Sequence, residues 1–210
     1  MIRDFAIVRE AASRVAKAAQ HATEALREGR VEQEPAFTDR MLGGIEEAMR
    51  EFRTKGVTWT AKTLTDRAPG AQERQYGADF AGVLSISLPG FSVRKGFLAQ
   101  AKRIEPGKTM RNDEFDRMNG QCERMLSLTP DAFVFLYAVS GIAIVPALSV
   151  LSSERRNPHE FYSRSIARFY EEHFESFIGD RRLHVPTAAV LEDLRHDLDV
   201  RRLLCLEARA

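Results

Sequence analysis

The stretch from Asp79 to Arg103 constrains this chain more than any other part of it. In DFAGVLSISL, Phe80, Leu84, Ile86 and Leu88 fall on one side of an extended chain together with Gly82. Asp79, Ala81, Ser85 and Ser87 fall on the other, with Val83. That alternation has the period of two expected of a half-buried strand. Pro89-Gly90 is a turn signal, and Phe91 to Arg103 reads as the returning strand. A hairpin folded about Pro89-Gly90 sets residue n opposite residue 179 − n, so Asp79 stands across from Gln100. Lys102 shares that face two residues later, while Phe97, Ala99 and Ala101 point the other way. Pro-Gly favours a type II turn, whose twist suits a tight hairpin less well than its mirror image, and a longer loop would slip the register by one.

The rest of the chain supplies the material for a sheet with helices around it. Residues 2 to about 28 form an Ala-rich, charge-laced helix pattern with a thin apolar stripe and a Gly stop, suited to packing on a domain or on a second copy of itself. Pro35 marks a break. FTDRMLGGIEEAMREF then carries Phe37, Met41, Ile45, Met49 and Phe52 near helical spacing, with Thr38 as the expected cap. Residues 57 to 64 alternate as a strand, and the hairpin follows. NDEFDRMNGQCERMLSL reads as a helix with Phe115, Met118, Cys122 and Met125 inward. AFVFLYAV, residues 132 to 139, is a continuous apolar run of the kind found in strands buried on both faces. Residues 142 to 151 read as a further strand, and 158–178 and 187–205 as helices. The expected fold is thus α/β (α+β), a central mixed sheet flanked by helices. It forms one domain, residues 1–210, with an N-terminal helix over 1–30, a core over 37–150 and C-terminal helices over 158–206.

Bulk properties exclude several classes. At 210 residues, 44% hydrophobic and 29% charged, the chain has an ordinary globular composition. No apolar run approaches the ~18 residues of a membrane span, and MIRDFAIVREAASRV carries charge where a secretory signal is apolar. Cys122 and Cys205 match neither a disulfide framework nor metal-ligand spacing, so a reducing cytoplasm is expected. A net charge of +1 confines any basic surface to local patches. There is no GxSxG elbow, P-loop, GxGxxG or HExxH.

With a carboxylate on one strand and Gln-Ala-Lys on the next, in the order helix, strands, helix, strand, residues 37 to 140 resemble the core of the PD-(D/E)XK nuclease superfamily. The QxK form resembles its Mrr-like restriction branch and bacterial anti-phage effector nucleases. The resemblance implies a restriction-endonuclease-like core and a DNA endonuclease dependent on Mg²⁺ (or Mn²⁺). It makes Asp79 a metal ligand, Gln100 a carbonyl ligand, and Lys102 the group that orients or activates water. It also implies an acidic residue on an upstream helix: Glu46 first, as a further catalytic and metal-binding group, or Asp39. Gln121 lies on the following helix where related enzymes approach the phosphate; the tyrosine that can follow is Met125 here. Arg94, Lys95 and Arg103 are candidate nucleic-acid contacts. DNA is the implied substrate, with a homodimer or regulatory subunit as a possible partner and no membrane. The competing reading is an inactive module of the same fold that binds nucleic acid or protein, suggested by the neutral Gln100 and the quiet net charge. An Asp79–Lys102 surface salt bridge without a chemical role would be worth only about 0–1 kcal/mol.

Overall fold

The computed structural model describes residues 4–65, 77–183 and 200–210. Its chain order is α1 (Phe5–Arg27), α2 (Glu34–Met49), β1 (Phe52–Thr54), β2 (Val57–Thr65), β3 (Phe80–Leu88), β4 (Phe91–Arg103), α3 (Asn112–Leu128), β5 (Ala132–Ala138), β6 (Gly141–Pro146), α4 (Ala147–Leu151), a 3-10 turn at Pro158–Glu160, β7 (Arg164–Ser165), α5 (Ile166–Phe174) and β8 (Arg202–Arg209). The eight described strands form one mixed sheet in the order β1-β2-β8-β3-β4-β5-β6-β7. β3 runs parallel to β8 and β4 parallel to β5; the other pairs are antiparallel.

The β3–β4 register follows the simple count: Leu88 pairs with Phe91 and Phe80 with Ala99. The two-residue turn closes because Gly90 takes φ +75°, a backbone state in which a side chain would be unfavourable. The alternation then sorts the hairpin between two cores. Phe80, Leu84, Ile86, Phe97, Ala99 and Ala101 join α1, α2 and α5 on one face. Ala81, Val83 and Leu98 join the α3 and α4 side on the other. β5 contributes to both, with Phe133, Phe135 and Tyr137 on the first and Val134 and Leu136 on the second, as a strand buried on both faces should.

Several expectations change. The segment read as the end of a C-terminal helix, up to residue 206, is instead the central strand β8, inserted between β2 and β3. Leu203 and Cys205 enter one core while Leu204, Leu206 and Ala208 enter the other. An apolar run without alternation carries no period to separate strand from helix. Most of the remaining 187–205 reading lies outside the described residues. The 158–178 reading resolves into the 3-10 turn, the short β7 and a helix confined to α5, and 142–151 into β6 followed by α4. Pro35 does not precede α2 but lies in its first turn, where its missing N–H costs nothing. Thr38 is therefore inside the helix: its hydroxyl donates to the Glu34 carbonyl at 2.9 Å and meets the Tyr137 hydroxyl at 3.1 Å.

α1 is integral to the first core. Val8, Ala11, Ala12, Val15 and Ala19 are fully buried, and the helix packs on α2 and α5. The small alanine stripe lets these helices approach closely. No described helix is long and apolar enough to cross a membrane.

Candidate active site on the third and fourth strands

Asp79 sits one residue ahead of β3, where the antiparallel ladder ends. Its N–H donates to the Ala99 carbonyl at 2.8 Å, and its carboxylate accepts the Ala101 N–H at 2.9 Å. The side chain thus continues the ladder after the backbone has left it, which fixes the carboxylate against β4. The same oxygen accepts a short hydrogen bond from the Gln100 amide. Gln100 is buried, at 2% exposure, and its amide nitrogen also donates to the Ala101 carbonyl at 3.1 Å. Its Oε1 is buried with no hydrogen-bond partner among the described residues. An acceptor in that condition carries an unmet desolvation cost, which a cation or donor entering beside it would relieve.

Gly77 explains how the chain reaches Asp79. It holds φ +72°, and a Cβ there would lie 2.6 Å from the Gln121 carbonyl oxygen, so α3 presses directly on the approach to β3. Gln121, on α3, therefore flanks the residue two positions before Asp79, and its own Oε1 is a second buried acceptor without a partner among the described residues. Lys102 is half-buried and turned toward α3. Burial pushes the Cys122 thiol up to about 12, and the Lys102 ammonium pulls against that rise. Asp79, Gln100, Lys102 and Gln121 thus gather on the α3 side of the sheet.

The other expected site residues lie elsewhere. Glu46 accepts the Thr63 N–H at 3.1 Å, at the edge of β2 left free where β1 ends. β8 separates β2 from β3, placing their backbones about 10 Å apart at ordinary strand spacing. Asp39 is held by Arg202, whose guanidinium donates to it and, at 3.2 Å, to the Pro35 carbonyl. Both acidic residues belong to α2, which packs with the core opposite the α3 side. The opposite face of the sheet keeps both from Asp79, and for Glu46 the inserted β8 adds a further strand of separation.

Lys95 is corrected most fully. It shares the face of Phe97, is 1% exposed, and donates from Nζ to the Ile178 carbonyl at 2.6 Å. Burial lowers its pKa to about 7. It is a core lysine that no phosphate reaches. Arg94 is exposed on the Gln100 face but six residues nearer the turn, about 20 Å along the strand. Arg103 turns to α2: its N–H donates to Glu34 at 2.7 Å and its guanidinium to the Glu32 carbonyl. Arg164 and Arg168, further along the chain, are engaged internally, both holding Glu172.

One group escaped sequence reasoning. Arg117 lies one helical turn before Gln121, and together with Lys102, Arg103, Glu34 and Glu114 it lines a cleft of about 250 Å³ beyond the end of β4. The spacing of four from Gln121 was the available signal.

No family model matches this sequence, and searches of curated proteins and of solved structures return no match. Among the described residues, no group of three or more His, Cys, Asp or Glu side chains is placed to hold a metal ion. A cation at Asp79 would have the carboxylate and the orphaned Gln100 oxygen as its protein ligands, once the amide turned about its last torsion to exchange nitrogen for oxygen. So sparse a set fits an ion that keeps most of its waters and takes the remainder from a phosphate, as Mg²⁺ does.

Proposed function

We propose that the chain is a metal-dependent nuclease that hydrolyses DNA phosphodiesters, built on a restriction-endonuclease-like core and serving restriction or anti-phage defence. One observation carries this reading: Asp79 and Gln100 are in direct contact on neighbouring strands, with Lys102 two residues further along the same face. The order α2, β2, β3, β4, α3, β5 supports it, with β8 as an insertion.

In this reading Asp79 and Gln100 hold Mg²⁺ or Mn²⁺, which when bound acidifies water and offsets charge building on the phosphate. The ladder bonds to Ala101 and Ala99 keep the Asp79 carboxylate fixed in direction, so on binding it is the Gln100 amide that turns while the carboxylate stays in place. The Lys102 ammonium sits beside the attacked phosphate, orienting water and stabilising the developing oxyanion. Gln121 donates its amide to a phosphate oxygen from α3. Glu46 and Asp39 take no part. A homodimer or regulatory subunit would extend the DNA surface beyond this patch.

A second reading, an inactive module binding nucleic acid or protein, draws on the Gln100 amide already satisfying Asp79 and on the few acidic ligands nearby. Supercoiled plasmid incubated with wild type, Asp79→Asn, Lys102→Ala and Glu46→Gln, in Mg²⁺, Mn²⁺ or EDTA, separates the two. The nuclease reading expects metal-dependent nicking, reduced about 10²-fold or more by the first two substitutions and retained by Glu46→Gln. Cutting that survives Lys102→Ala refutes the site. Binding indifferent to EDTA and to Asp79→Asn, with no cutting, establishes the module.

A further inference from the structure

The cleft beyond β4 has an unusual charge economy. Glu34 and Glu114 line it, yet both carboxylates serve the fold: Glu34 accepts the Arg103 N–H, and Glu114 accepts the Arg111 N–H at 3.4 Å in the cap of α3. Arg103 spends its guanidinium on the Glu32 carbonyl. Arg117 is exposed and has no hydrogen-bond or ion-pair partner among the described residues. It projects from the second turn of α3, one turn before Gln121, so the two side chains share a flank of the helix. One end of that flank abuts the approach to Asp79 through Gly77, and the other opens into the cleft that Lys102 lines.

We propose that Arg117 binds a backbone phosphate of the polynucleotide strand as it leaves the Asp79–Gln100–Lys102 site, with the cleft as that strand's exit path. This rests on the nuclease reading and adds to it the direction of the strand, along α3 from Gln121 toward Arg117. A guanidinium suits the task because its planar fork can grip two phosphate oxygens at once, whereas an ammonium offers a point charge. The neighbouring Glu34 and Glu114 carboxylates, held back in backbone bonds, repel a strand that strays from the guanidinium, which narrows the path.

Fluorescence anisotropy with a short labelled DNA duplex in Ca²⁺, across a series of KCl concentrations, tests this. Wild type, Arg117→Ala, Arg117→Lys and Arg53→Ala are compared, the last removing an exposed arginine from β1 at the far edge of the sheet. Arg117→Ala is expected to weaken binding about tenfold and to reduce the log–log salt slope by about 1, as loss of one phosphate contact should. Arg117→Lys keeps the slope but not the full affinity, and Arg53→Ala matches wild type. Wild-type plasmid cutting combined with an Arg117→Ala slope equal to that of Arg53→Ala overturns the strand path and leaves the nuclease reading standing. A wild type that neither cuts nor binds polynucleotide overturns both.

Discussion

Replacing Lys95 with methionine should remove a pH dependence of stability that the wild type carries through the alkaline range. The ammonium is enclosed by β4, the Ile178–Gly179 segment and α5, and among the described residues its Nζ donates to one acceptor, the Ile178 carbonyl. Burial is the main cause of the low pKa of about 7; the Asp131 carboxylate raises it and Arg181 lowers it further. Because the folded value lies below that of a free lysine, the unfolded chain binds more protons between about pH 7 and 10.5, and stability must rise with pH across that window. Below about pH 7 both states are protonated and the cost of the buried charge is felt in full. Each pH unit is worth up to about 1.4 kcal/mol, so the whole span amounts to roughly 4–5 kcal/mol. Urea unfolding at intervals from about pH 7 to pH 9.5 reads this directly. Methionine keeps the length of the side chain without the charge, and exchanges of this kind are often neutral or stabilising. The variant should match or exceed wild type near pH 7 and lose that advantage as pH rises. Parallel wild-type and Lys95→Met curves would refute the account.

Other expectations follow from neighbouring features. Gly77→Ala must accept φ +72° and a contact with the Gln121 carbonyl, so it should cost about 1–3 kcal/mol in unfolding experiments and lower cleavage through displacement of Asp79. Asp39→Ala strands Arg202, which is 5% exposed and among the described residues keeps only the Pro35 carbonyl; a loss of about 1–3 kcal/mol in thermal or urea unfolding is expected, with metal dependence of any cutting unchanged. Removal of residues 1–27 opens the first core beneath α1, so circular dichroism and light scattering should reveal loss of cooperative unfolding or aggregation, not a well-folded monomer of lower mass.

The hairpin was legible because its information is local. Period-two alternation and a two-residue turn fix every cross-strand pair, and the same arithmetic brought Asp79 to Gln100. It would also have placed Lys95 beside Phe97 in the core; reading Arg94 and Lys95 together as a basic pair ignored that adjacent strand residues face opposite ways. β8 was hidden for the opposite reason. RLLCLEAR is apolar on both sides, rich in leucine, and has no turn chemistry of its own, so nothing local distinguishes it from a helix. Glu46 is the upstream-helix acidic residue that the resemblance implies, but with β8 between β2 and β3 it meets Thr63 and not Asp79. The acidic residue on α2 was a question of which strand lies next to which, and sequence spacing holds no answer to it.

The placement of β8 also sets an order of events. β3, whose entry carries Asp79, gains its second neighbour only from a segment about 120 residues further along the chain. Until residues 202–209 arrive, β2 and β3 each expose an unsatisfied row of backbone donors and acceptors toward the gap. Closing that gap is a non-local, entropically expensive step, slower than forming the β3–β4 hairpin or α3. The Asp79–Gln100 contact belongs to the hairpin and can form early, but the rigid sheet beneath it is finished late. During synthesis the nascent chain therefore holds the candidate site on an incomplete scaffold, and the strand that completes the scaffold also supplies Arg202, the clasp for α2. Completion of the sheet beneath the candidate site is thus timed by β8, the last of the described strands.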